Sequence, residues 1–291
     1  SSIMEEKNPI SFPKNGQSYL VMGVINLTPD SFYANSRCSG LAEAITMATR
    51  MIDEGADILE IGAESSRPGA QPVSEKEELE RLLPVITELN ERFDLPLSVD
   101  TWKPKVAEMA LEAGAGIIND ITGLSRRPEM ADVVAFYNAA LVIMHMRGNP
   151  ENMQDNPAYD DVVAEITEFL YKNISVAESA GVDPKAIAVD PGIGFGKTLE
   201  HNLKIINQLE RFASINKSLL IGLSRKSFIG KITDLSADER LEGSLAATTI
   251  SRVKGASIFR THDIKETVRA LKVVDAILET RKNNDSSLYQ C

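Results

Sequence analysis

Short apolar runs rich in β-branched residues recur along the chain, each followed by a polar turn-forming stretch and then an amphipathic segment. The runs are Tyr19–Asn26 (YLVMGVIN), Asp57–Ala63, Leu97–Asp100, Gly116–Asp120, Ala140–His145, Ala186–Asp190, Ser218–Ser224 and Ala256–Arg260. They are almost continuous in hydrophobicity, as strands covered on both faces must be. Between them the apolar period changes. In Leu41–Glu54, residues Leu41, Ala44, Ile45, Ala48 and Ile52 share one helix face. Ser74–Arg92 opens on Ser74 and Glu77, a capping-box pair. Further helices are expected at Lys103–Ala113, Pro128–Asn138, Tyr159–Ala180, Leu199–Phe212, Arg240–Lys254 and Ile264–Thr280.

Eight β-then-α units predict an α/β fold, a closed (β/α)8 TIM barrel in a single domain. A short N-terminal extension (1–18) precedes strand 1, the barrel spans 19–280, and a polar tail covers 281–291. The rival is a doubly wound open sheet, but no Gly-x-Gly-x-x-Gly opens a helix after the first strand. Composition narrows the class further. With 43% hydrophobic and 25% charged residues the chain is an ordinary globular one. Its net charge of −11 argues against nucleic acid as a partner, which would need a broad basic surface. No run approaches the roughly 18 apolar residues of a membrane span, and the N-terminus lacks the apolar core of a secretory signal. Two cysteines, Cys38 and Cys291, cannot build a disulfide framework, so a cytoplasmic location is expected.

Barrel enzymes place their chemistry at the C-terminal strand ends. Here those ends carry Asn26, Glu64 with Arg67, Asp100, Asn119 with Asp120, His145, Asp190, Ser224–Lys226, and Arg260 with His262. Asp100, Asn119 and Asp190 adjoin apolar strand interiors, where polar groups are costly unless a partner satisfies them. They suit a heterocycle with an N–H/NH2 edge. Arg67, Lys226, Arg260 and His262 form a cationic set, and barrels often hold phosphate beside strands seven and eight. Lys226 is equally open to a Schiff-base role. The run Asp190–Lys197 (DPGIGFGK) reads either as a phosphate cradle or as tight turns; it lacks P-loop spacing. His145 reads as a core histidine and His201 as solvent-facing. There is no zinc-ligand spacing, so a metal would be Mg2+ shared with a phosphate.

The segments 26–32 (NLTPDSF), 64–70 (ESSRPGA), 98–101 (SVDT), 118–120 (IND), 144–145 (MH), 190–196 (DPGIGFG), 222–230 (GLSRKSFIG) and 260–263 (RTHD) together resemble the dihydropteroate synthases of the folate pathway. The resemblance runs from about Tyr19 to about Ile277, with the motifs in order. It implies a transferase that joins 6-hydroxymethyl-7,8-dihydropterin diphosphate to 4-aminobenzoate, with Mg2+, in a homodimer. By that resemblance Asp100, Asn119, Met144, Asp190 and Lys226 hold the pterin, and Asn26, Arg260 and His262 hold the diphosphate, Asn26 reaching the metal. Ser66, Arg67, Pro68, Phe195 and Ser227 form the aminobenzoate pocket. Asp30, Arg67 and Lys226 are the catalytic candidates, Asp30 supporting a cationic methylene formed as the carbon–oxygen bond breaks. The chain departs from the family at Ser66, where a threonine is common, and in the stretch after Phe32. A pterin-binding methyl transferase would share the Asp/Asn/Asp set but needs no diphosphate site; a silent pterin-binding paralogue would not turn over.

Overall fold

The computed structural model describes residues 10–13, 18–28, 40–66, 69–148 and 152–287, with side chains described as far as 281. Eight parallel strands close into a barrel in sequence order: β1 (Leu20–Asn26), β2 (Ile58–Gly62), β3 (Leu97–Asp100), β4 (Ile117–Asp120), β5 (Ala140–Met144), β6 (Ile187–Asp190), β7 (Ser218–Gly222) and β8 (Ile258–Thr261). Pairing of β1 with β8, Met22 opposite Arg260, completes the ring. Around it lie α1 (Leu41–Asp53), α2 (Glu75–Arg92), α3 (Pro104–Glu112), α4 (Met130–Phe136), α5 (Val162–Ser179), α6 (Leu199–Asn207), α7 (Ser227–Thr233), α8 (Leu241–Val253) and α9 (Ile264–Ser287). Among the described residues no helix is long and apolar enough to cross a membrane.

Every expected strand forms, within two residues of its expected ends. The period of two along each strand then divides the interior by height. Outward residues such as Val21, Ile25, Ile61, Ile118 and Phe259 pack under the helices in one large core. Inward residues low in the barrel, Met22, Ile58, Ile117, Val142, Ala188, Leu220 and Ile258, fill its lower half, and Phe12 packs with them. One pleat higher, β2, β3, β4, β6 and β8 present Glu60, Asp100, Asn119, Asp190 and Arg260. The helix-covered core and the lower tier hold the fold, which leaves the upper tier for polar groups.

Three helical expectations need correction. The segment expected as one helix over Leu199–Phe212 ends at Asn207 and continues as a 3-10 turn over Leu209–Ile215. Gln208 leaves helical geometry, and buried Leu209, Phe212 and Ile215 recur every three residues, the 3-10 period. Helix α7 directly after Lys226 was not expected at all. Helix α9 runs on to Ser287, into the stretch read as tail. His201 is not a solvent-facing side chain: its Nδ1 accepts the Thr198 backbone N–H at 3.0 Å, closing a capping box, and its ring meets Tyr159 edge-on.

Candidate active site

Strand alternation turns Asn119 and Asp190 inward at the barrel mouth, while Asp120 faces the other way. Asp120 accepts from Thr122 and from the backbone N–H of Leu124, so it closes a turn rather than joining the site. Glu60, which the sequence reading absorbed into an apolar strand, sits at the centre. Its Oε1 accepts from Asn119 Nδ2 and from Ser98 Oγ, both at 3.1 Å. Its Oε2 lies 2.8 Å from Arg260 Nε, a close ion contact without the alignment of a hydrogen bond. Arg260 Nη1 reaches Asp190 Oδ2 at 3.5 Å. The acidic and cationic walls are therefore one connected array.

That array is charged at a cost. Burial, reinforced by Glu60, raises the Asp100 carboxyl well above its ordinary value, with Arg260 opposing. Burial works against the Arg260 guanidinium, but Glu60, Asp190 and Asp100 outweigh it and hold the charge in place. Asn119 Oδ1 and Arg260 Nη2 are buried with no hydrogen-bond partner among the described residues. An acceptor on one wall and a donor on the other are thus left for a ligand to satisfy.

Lys226 follows a residue held in the left-handed region, Arg225, at φ 55°. Arg225 is fixed there by a two-pronged ion pair with Asp263 and by the carbonyls of Ala237 and Asp238. This sends the Lys226 side chain into the mouth, where Nζ donates to the Ile193 carbonyl at 2.7 Å and lies 5.1 Å from the Phe195 ring centre. Gly222 leaves the room: a Cβ there would sit 3.0 Å from Arg260 Nη1 and 3.6 Å from Lys226 Nζ. Burial pulls Lys226 down to about 7, with Asp190 opposing and Arg260 assisting.

The sign of that shift gives a stability prediction. In the unfolded chain the amine keeps its proton up to 10.5, in the fold only to about 7. The unfolded state binds more protons between those values, so stability falls as pH drops across that window. Lys226→Met is expected to melt above the parent at neutral pH, with the gap closing toward the alkaline end. Thermal melts across the window measure it; a gap independent of pH would show that burial does not perturb this amine.

His262 was expected among the cations. Burial instead pulls its imidazole down to about 4, with Asp263 opposing and Arg225, Lys226 and Arg260 adding to the effect, so it is neutral at pH 7. His145 lies in the core: its ring packs edge-on against Phe169, and burial, with Lys197 beside it, pulls it down to about 2. Lys197, the last residue of the Asp190–Lys197 run, is buried with Nζ 3.0 Å from His145 Nδ1 and 2.8 Å from the Phe195 carbonyl it donates to.

The glycine run resolves as turns. Gly192, Gly194 and Gly196 have φ of 73°, 86° and 67°, and a Cβ on Gly192 would collide with the His145 carbonyl oxygen. Their backbone N–H groups are already committed: Gly192 to Asp190 Oδ1, Gly194 to Asn202 Oδ1, Gly196 to Gln154 Oε1. No amide of these three glycines remains to cradle a phosphate. The run serves instead to hold Phe195 over a cavity of about 310 Å³. Asn26, Ser66, Asp100, Phe195, Lys226 and Ser227 line that cavity. Met144 is buried beside it with Ile121, Met146 and Met153, and Phe195 packs on this methionine wall. Asp30, Arg67 and Pro68 lie outside the described residues, as do Cys38 and Cys291. The base of the second loop is described: Glu64 accepts from Trp102 Nε1, Lys103 Nζ and the Val73 N–H, a network that spacing alone did not reveal.

Comparison with known proteins agrees with this fold. The family described as pterin binding enzyme matches residues 22–262. A dihydropteroate synthase of Escherichia coli (strain K12) is 44% identical over 263 residues, 90% of this chain and 93% of the relative. The crystal structure of the Yersinia pestis dihydropteroate synthase with a sulfonamide drug complex superposes with a TM-score of 0.87 at 40% identity, covering 93% of this chain and 100% of that one. The Xanthomonas albilineans dihydropteroate synthase with 4-aminobenzoic acid gives 0.83 at 42%, covering 92% and 99%. On its sequence, its barrel and the polar tier at its mouth, the chain belongs to the pterin-binding enzyme family, among the dihydropteroate synthases.

Proposed function

We propose that the chain condenses 6-hydroxymethyl-7,8-dihydropterin diphosphate with 4-aminobenzoate, releasing diphosphate and forming 7,8-dihydropteroate. One observation carries the residue assignment: a buried acceptor, Asn119 Oδ1, and a buried donor, Arg260 Nη2, both without a partner among the described residues, on two side chains that meet the two oxygens of Glu60. The pterin edge takes Asn119, Asp100 and Asp190, with Lys226 on its ring and Met144 against its face. The diphosphate takes Arg260, His262 and Asn26. Phe195, Ser66 and Ser227, together with Arg67 and Pro68, receive the aminobenzoate. Arg260 serves as counter-charge to Glu60 and Asp190, but its Nη2, buried with no partner among the described residues, is a donor that a pterin carrier without a diphosphate substrate does not need, so the methyl-transfer reading is disfavoured.

In this mechanism Arg260 and the neutral His262 are aligned before reaction with the charge that grows on the leaving diphosphate. Asp30 supports the cationic methylene. The aniline nitrogen is nucleophilic when neutral, so no strong base is needed, in keeping with a site whose histidine is held uncharged. Among the described residues no cluster of His, Cys, Asp or Glu could hold a metal by itself. The donor at hand, the amide oxygen of Asn26 on the cavity wall, suits Mg2+, which favours few protein ligands, retained waters and substrate phosphates. Asn26, on the cavity wall, is the residue to reach it. When bound, the ion neutralises diphosphate charge.

Diphosphate release should require both substrates, stop with a chelator and resume with added Mg2+. Release without aminobenzoate, or turnover indifferent to the chelator, would refute the corresponding part. The proposal extends to a cytoplasmic homodimer. Ile250 and Val253 on α8 and Val273 and Ile277 on α9 are exposed apolar residues that a second copy would cover.

A further inference from the structure

Behind His262 three buried hydroxyls stand in line, those of Thr267, Thr261 and Ser224. Each hydroxyl oxygen has two acceptor sites and one proton. Thr261 Oγ1 accepts the Asp263 N–H at 3.0 Å and the Thr267 hydroxyl at 3.2 Å, so its own proton points to Ser224 Oγ at 3.4 Å. Ser224 Oγ accepts that proton and the backbone N–H of His262 at 3.2 Å. Both of its acceptor sites are then filled. Among the described residues its proton has one short contact left, His262 Nδ1 at 2.8 Å. The opposite arrangement would set a third donor on the Ser224 oxygen.

We infer that Ser224 is a positioning residue that holds His262 in a single neutral tautomer, its proton on Nε2, so that the ring offers a donor to the leaving diphosphate. The inference deepens the proposed function and rests on it for the diphosphate; the tautomer stands on the hydroxyl chain. A neutral imidazole bears one donor and one acceptor nitrogen, and the hydrogen bond at one fixes the role of the other. The wrong tautomer would turn a lone pair toward an anion. The hydroxyl line is reached from α9 and from both cation-bearing strands, so the ring is set by the frame of the barrel rather than by the substrate. Because Thr261 and Thr267 are anchored by the turn into α9, the direction of the chain does not depend on solvent.

The protein has three histidines, so selective 15N labelling of histidine leaves three ring systems to assign. Two-bond proton–nitrogen correlation spectra of the full chain read the tautomer directly. The expected pattern for His262 is a protonated Nε2 and a bare Nδ1. A proton on Nδ1, or rapid exchange between the two forms, would overturn the inference without any variant being made. In Ser224→Ala the pattern should become a mixture, and Ser224→Thr should restore the single form; an unchanged pattern in Ser224→Ala would remove the serine's role. Loss of one such hydrogen bond should lower kcat/KM for the pterin diphosphate about tenfold. The KM for aminobenzoate and the affinity for free hydroxymethylpterin should stay put. A lost tautomer with unaltered kinetics would overturn the diphosphate assignment of His262 and leave the tautomer standing.

Discussion

Arg260→Ala should weaken binding of the pterin diphosphate by about 2–5 kcal/mol, the usual cost of removing one partner of a buried charge pair. Free hydroxymethylpterin should lose less. The difference comes from the three roles of one guanidinium. Its Nε faces Glu60, its Nη1 faces Asp190, and its Nη2 is buried without a partner among the described residues. The first two contacts fix Glu60, which holds Asn119, and Asp190, which meets the pterin, and their loss is common to both ligands. The third direction is available to the diphosphate alone. Arg260→Lys keeps a charge but cannot address three groups from one planar fork, so it should fall between. Calorimetric titration of both ligands into parent and variants gives the comparison. Equal losses for the two ligands would leave Arg260 as a counter-charge only.

Asp190→Asn should cost about 2–5 kcal/mol of pterin affinity, although the side chains are nearly isosteric. Oδ1 of Asp190 is held by the Gly192 N–H at 2.8 Å. An asparagine must keep its oxygen there or lose the turn. Its amide nitrogen then falls where Oδ2 was, facing Arg260 Nη1 and the pterin's own donors. An acceptor becomes a donor between donors. Pterin titration followed by fluorescence tests this, with circular dichroism to confirm an intact barrel, and an unaltered dissociation constant would contradict it.

Much of this was legible in the chain because strand chemistry is local. Runs such as Leu97–Asp100 and Ile117–Asp120 carry their own boundary, the last apolar residue before a polar one. Once eight such runs imply a barrel, their polar ends must share one mouth. Asp190 and Arg260, 70 residues apart, do meet there. Glu60 was hidden by the same logic, since a charged residue inside an apolar run looks like an interruption rather than a ligand. Counting two residues back from Gly62 would have turned it inward. The charge of His262 was not legible, because it depends on burial by groups from other strands. Nor was the break after Asn207: Leu209 and Phe212 fit either helical period until Ile215 extends the threefold spacing.

The two-tier interior separates tasks that most active sites mix. On β8 Ile258 fills the lower half of the barrel, and two residues on Arg260 meets the substrate tier; β4 repeats the scheme with Ile117 and Asn119. Selection can therefore act on reactivity and on foldability through different codons of the same strand. A lineage that rewrites the upper ring inherits an intact foundation, which makes this barrel a good starting point for evolving new chemistry.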